Sequence, residues 1–168
     1  PEVVLPSLGD PWNGMAEPND LYLRSGSGFE LAPKDPVLSE VGLTRAVVAG
    51  DFDRQGQLEV LIVNVETPSI LVTPPKSDAR ELFVEAVDQA GHPVLHALIF
   101  CQTGERIQRR RQGISDGYAS AQPPEVHFGL AASQAPAELT VQWPDGTQDV
   151  FQVEPRTTRF QAQKGSGR

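Results

Sequence analysis

Cysteine is nearly absent from this chain: Cys101 stands alone among 168 residues. No internal disulfide can form, so no disulfide framework holds the fold, and secretion cannot be argued from one. A lone Cys inside the apolar run Ala97–Cys101 reads as a small buried core residue rather than a reactive thiol. Long hydrophobic runs are also missing. None approaches the roughly 20 apolar residues that a membrane-spanning helix needs, so a transmembrane segment of this kind is not expected. Basic residues are scarce, with 14 Lys and Arg against 22 Asp and Glu and a net charge of −8. That balance argues against nucleic acid as a partner, because a phosphate backbone needs clustered positive charge. The chain begins at Pro1. Removal of an export signal and a start inside a longer polypeptide both fit that beginning.

Glycine and proline are plentiful, at 15 each. They punctuate short apolar runs at spacings of about 8–12 residues, the pattern of an all-β protein with a β-sandwich. No helix longer than one or two turns is expected. Residues 1–18 are Pro- and Gly-rich and read as an extended arm, with Trp12 a possible partner anchor, although such arms more often lie over their own domain. Residues 19–75 hold strand-like runs at Leu21–Leu23, Phe29–Leu31, Thr44–Val48, Val60–Val63 and Ile70–Val72. Residues 76–163 start with Leu82, Val84 and Ala86, whose alternation favours one face of a strand over a short helix. A turn at Gly91–Pro93, a long strand from Val94 to Cys101 and a polar return from Arg106 to Gln112 follow. Strands at Asp149–Val153 and at an edge near Thr157–Gln163 close the series. The tail, residues 164–168, is expected to be disordered.

Three motifs follow one another in the C-terminal third. They are Gly117-Tyr118-Ala-Ser120, then His127-Phe128-Gly129-Leu130, then Val141-Gln-Trp143-Pro144-Asp145-Gly146. Their order and wording resemble the ASPIC/UnbV domain of cartilage-acidic-protein-like (CRTAC-type) proteins, over roughly residues 80–160. Upstream, Asn19-Asp-Leu21-Tyr22-Leu23, Gly26-Ser-Gly28-Phe29 and Gly50-Asp51-Phe52-Asp53-Arg-Gln55-Gly56 resemble one FG-GAP repeat. The resemblance implies a blade-like antiparallel sheet leading into an ASPIC/UnbV-like β-sandwich. It also implies a calcium loop at Asp51 to Glu59, and His127 as a framework histidine.

The loop itself supports a calcium reading on chemical grounds. Oxygen ligands recur at alternate positions of such loops, with glycine at the sharp turn. Asp51 and Asp53 fill the first and third positions, Gln55 offers an amide oxygen at the fifth, and Gly56 sits at the turn. Gln57 can give its carbonyl, and Glu59 closes the set. Three carboxylates make a weak site, and a metal-free turn with Asp51 and Asp53 bonded to backbone is the competing reading. His92 and His96, if on one strand, lie ~13 Å apart on one face, too far to share a metal. Asp116, Tyr118, Ser115 and Ser120 form no nucleophile elbow and read as turn residues. Trp143, alternating with Val141 and Leu139, belongs to the core. Arg106, Arg109 and Arg111 concentrate positive charge in an acidic chain. They read either as a solvated edge strand or as a docking stripe for an acidic protein or lipid headgroups.

No residue set here supports catalysis, so the protein is not expected to be an enzyme. The expectation is a non-catalytic interaction or scaffolding module, exported to the periplasm or cell exterior. It would act as an accessory subunit docking on protein partners, a membrane complex among them. The alternative is a calcium-dependent adhesion or carbohydrate-binding module.

Overall fold

The computed structural model describes residues 3–5, 18–33, 42–73, 78–114, 121–130 and 136–168. Among these every regular element is a β-strand: β1 (Val3–Leu5), β2 (Asp20–Ser25), β3 (Gly28–Leu31), β4 (Leu43–Gly50), β5 (Glu59–Val65), β6 (Ile70–Val72), β7 (Glu81–Val87), β8 (Leu98–Thr103), β9 (Arg106–Arg111), β10 (Val126–Gly129), β11 (Ala137–Gln142), β12 (Gln148–Val153) and β13 (Arg159–Gln163). Turn-rich, helix-poor composition thus gives the all-β class that the sequence implies. The chain divides into two compact units. One comprises Pro1–Phe52, Glu59–Pro74 and Ser115–Ala121; the other comprises Asp53–Leu58, Pro75–Ile114 and Gln122–Arg168.

The first unit carries two antiparallel three-stranded sheets, ordered β1-β2-β3 and β4-β5-β6. All five strand-like runs of residues 19–75 are strands, distributed over these two sheets. The start of the N-terminal arm also contributes, since Val3–Leu5 pairs with Asp20–Tyr22. Trp12 lies outside the described residues. β4 and β5 pair from Leu43↔Val65 to Gly50↔Glu59, with a bulge near Thr44 and Ala46. Ile62, fully buried on β5, anchors that sheet.

The second unit is a two-sheet sandwich. One sheet is ordered β10-β7-β13, the other β12-β11-β8-β9. Alternation decides which side chains meet between them. Leu82, Val84 and Ala86 of β7, Val126 and Phe128 of β10 and Ala162 of β13 share one core with Ile99, Cys101, Leu139, Val141, Trp143, Phe151 and Val153. Burying each large apolar side chain contributes about 1.5–3 kcal/mol, so this shared core is the main source of the unit's stability. β13 runs parallel to β7, from Arg159↔Phe83 to Gln163↔Val87. β7 is therefore central, with an antiparallel neighbour in β10 and a parallel one in β13.

Two local expectations are corrected. Strand β8 starts at Leu98, not Val94. Val94 is diverted because its N–H donates to Ala86 O at 2.8 Å, and His96 takes a left-handed φ of 67° that a strand does not tolerate. The tail is held in place rather than disordered. Lys164 N–H donates to Val87 O, and Arg168 and Val150 exchange backbone hydrogen bonds. Gly165, at φ 78°, supplies the turn. A Cβ on Gly167 would stand 2.7 Å from Asp149 Cβ. Glycine here permits close apposition to β12, not freedom.

Candidate functional site

Two places gather chemistry-bearing side chains: the loop between β4 and β5, and strand β9. In the loop, pairing of Gly50 with Glu59 brings the two ends of residues 51–58 together. Asp51 and Glu59 are buried, while Asp53 is exposed. One carboxylate oxygen from each of the three lies within 4.8 Å of the others. Left-handed conformations at Arg54 and Gly56 fold the loop tip back, as expected of glycine at the sharp turn.

The carboxylates are oriented by their neighbours. Glu59 Oε2 accepts the Phe52 N–H at 3.1 Å, and Glu59 Oε1 accepts the Thr73 hydroxyl at 2.9 Å. Asp53 Oδ1 accepts the Gln55 N–H at 2.9 Å, so Gln55 engages the cluster through its backbone. The Gln55 side chain is exposed and Gln57 is half-buried; the convergent set is Asp51, Asp53 and Glu59. Its donors are all hard oxygens. Two ligands on opposite sides of one calcium ion stand about 4.6–5.2 Å apart, twice a Ca–O bond of about 2.3–2.6 Å. The observed spread therefore fits one such cation, which these three side chains would hold.

Strand β9 reads Arg-Ile-Gln-Arg-Arg-Arg. Arg106, Arg109 and Arg111 are exposed. The Arg110 guanidinium lies 5.8 Å from the Phe128 ring centroid, and Gln108 donates to Gly129 O at 2.8 Å. Gln108 and Arg110 thus serve the sandwich edge, while Arg109 and Arg111 face away from it.

The histidines do not converge. His92 is exposed and pairs with Asp88 at 3.4 Å. Its backbone N–H, donating to the Asp88 carboxylate, holds that acid below its usual range. The His127 ring is hydrogen-bonded through Nε2 to the Glu81 carboxylate. It packs against Phe83 at 5.1 Å between ring centroids, and Arg159 covers Phe83 from the other side at 4.9 Å. This outer-face row of β10, β7 and β13 gives His127 the hydrogen-bonding framework role that the sequence implies. Cys101 is fully buried, and burial pushes its thiol up to about 11. Asp116, Tyr118, Ser115 and Ser120 lie outside the described residues.

Sequence reasoning missed Gln112 and Asp149. Gln112, fully buried, bonds both backbone groups of Ala86 and the carbonyl of Val94. Asp149 Oδ2 accepts the Trp143 indole N–H at 2.7 Å and the Gly165 N–H at 2.8 Å. Parity was the available signal for Gln112, since it continues the core-facing series Gln108 and Arg110. No helix among the described residues is long and apolar enough to cross a membrane.

No curated protein matches this chain. Residues 88–168, which hold strands β8 to β13 of the sandwich, match the family model described as ASPIC and UnbV.

Proposed function

We propose that this chain is a non-catalytic interaction module, an accessory subunit that docks on a larger assembly in the periplasm or at the cell exterior. The observation that carries this reading is the state of β3. It is an outer strand of its sheet, and all four of its residues are exposed. Phe29 is 55 % exposed and Leu31 58 %. An edge strand that presents large apolar side chains invites pairing and burial by another surface. Sealing of the sole thiol in the core and engagement of His127 by Glu81 support a binding rather than a chemical role. The motifs of residues 19–59 support an FG-GAP-like origin for the first unit, and those of residues 117–146 support a CRTAC-type one for the second.

The test is the native size of the particle that carries the chain, in an extract solubilised with mild detergent. Co-migration with other chains in a large particle, a membrane complex included, is the expected result. A free monomer that captures no co-resident protein overturns the reading.

The acidic loop supports a second reading, calcium-dependent adhesion or carbohydrate binding, through the convergence of Asp51, Asp53 and Glu59. It requires that millimolar calcium raise the melting temperature. A midpoint unmoved by calcium removes it.

A further inference from the structure

We infer that strand β9 is a receiving edge for an extended, acidic segment of a protein partner, which adds to the four-stranded sheet as a fifth, antiparallel strand. The inference rests on the docking role proposed above and names the surface and the chemistry of the occupant. Three observations carry it.

The first is the free edge. The sheet order is β12-β11-β8-β9, so among the described residues no strand pairs with the far side of β9. The opposite edge differs, because Arg168 exchanges backbone hydrogen bonds with Val150 of β12. One edge of this sheet is closed by the chain itself, and the other is open among the described residues.

The second is the direction of the backbone groups. Thr103 pairs with Arg106 across a two-residue turn, and Gly104 there has φ 58°. In such a hairpin the residues flanking the turn exchange both hydrogen bonds, and the pattern then alternates along the strand. Arg106, Gln108 and Arg110 therefore bond to β8, and Gln112 N–H, donating to Ala97 O at 2.9 Å, keeps the same parity. The N–H and C=O groups of Ile107, Arg109 and Arg111 point outward. Arg110 Nη1 donates to the Arg109 carbonyl at 3.0 Å, as expected of an oxygen turned away from β8.

The third is charge. Four of the six residues of β9 are arginine, in a chain of net charge −8. Among the described residues no ion pair involves Arg106, Arg109 or Arg111. Ile107 is 61 % exposed and shares the outer face with Arg109 and Arg111. A second copy of β9 would set arginine against arginine, and like charges directly opposite disfavour pairing. The edge thus rejects itself and selects an acidic strand. Antiparallel register writes the occupant's outer-face pattern: acidic opposite Arg111, acidic opposite Arg109, apolar opposite Ile107.

The experiment uses the full chain and a fluorescent probe of about eight residues containing Glu-Thr-Glu-Thr-Val, with Lys-Thr-Lys-Thr-Val as its control. Anionic phosphatidylserine vesicles are tested alongside. The acidic probe should bind and the basic one should not. Amide exchange at Ile107, Arg109 and Arg111 should slow when the acidic probe is added. A triple variant, R106Q/R109Q/R111Q, should lose about ten-fold or more in affinity. Arg109→Pro removes one outward N–H, which an edge strand tolerates, together with one guanidinium. It should weaken binding beyond Arg109→Gln, which removes the charge alone, while leaving the melting temperature close to wild type. Probe binding that leaves those amides exchanging freely overturns strand addition. Binding to vesicles with none to the probe overturns the choice of a protein partner. A chain that binds neither, yet migrates in a large native particle, overturns this edge and leaves the docking role standing.

Discussion

The side chain of Gln112 stands where a strand would otherwise run beside Ala86. Pairing of β10 with β7 ends at Val126↔Val84, so at Ala86, the next residue of the same parity, no β10 residue stands opposite, and the Val94 N–H reaches only the carbonyl. The Gln112 amide fills the gap. Its Oε1 accepts the Ala86 N–H at 2.6 Å, and its Nε2 donates to Ala86 O at 2.8 Å and to Val94 O at 3.1 Å. A primary amide offers the donor and acceptor pattern of a peptide unit, which is why glutamine serves here and an apolar residue would not.

Gln112→Leu should therefore destabilise the second unit by roughly 2–4 kcal/mol, because it strands buried backbone groups rather than merely deleting a contact. Urea unfolding measures this. Gln102→Ala, at an exposed position, should stay within about 0.5 kcal/mol.

Cys101 should resist thiol reagents at pH 8 and react only when the sandwich unfolds. Burial raises the folded thiol to about 11 from 9.0. Below pH 9 both states keep the proton, so the thiol adds no pH dependence. Between about 9 and 11 the unfolded chain releases its proton while the folded one retains it, so stability falls as pH rises. A Cys101→Ala variant should show a shallower decline of the urea midpoint across that window.

Calcium at ten times its dissociation constant should stabilise the holding state by about 1.4 kcal/mol. Asp51→Asn and Glu59→Gln should each abolish the calcium-induced shift in melting temperature. Arg54→Ala, in the same loop, should keep it.

Gly167→Ala should detach the tail from β12. The added methyl would lie 2.7 Å from Asp149 Cβ and 2.9 Å from Val150 N, a clash costing about 1–3 kcal/mol. Faster amide exchange at Val150, with the Trp143–Asp149 bond retained, is the expected signature.

A fragment limited to residues 88–168 should fail to fold, whereas residues 78–168 should form the sandwich. The shorter piece contains β8 to β13 but lacks β7, the strand with which both β10 and β13 pair. Circular dichroism and cooperative urea unfolding distinguish the two.

Much of this architecture was legible because amphipathic strands advertise their inner faces. Leu82, Val84 and Ala86, like Leu139, Val141 and Trp143, alternate cleanly and are buried together. The acidic loop was legible for a related reason, since Asp51 and Glu59 sit at the ends of two strands that the sequence marks. Pairing partners were not legible. The run Arg159–Gln163 announces a strand, but its parallel match to β7 depends on a distant segment. Gln112 was hidden because a glutamine ending an arginine-rich strand looks solvated, and only the failure of β10 to reach Ala86 gives it a task. The tail misled through composition: Gly-Ser-Gly signals freedom, yet here it allows backbones to touch.

The central place of β7 has a consequence for biosynthesis. Its Glu85 meets Gln161 across a separation of 76 residues, so the strand that is made first in the sandwich is completed last. Until the C-terminal segment emerges, β7 lacks its parallel neighbour and Phe83 lacks the Arg159 guanidinium beside its ring. Contacts this distant close slowly and leave apolar surface open in the meantime. Holdase binding sites on the nascent polypeptide should therefore centre on β7 for much of the sandwich's synthesis.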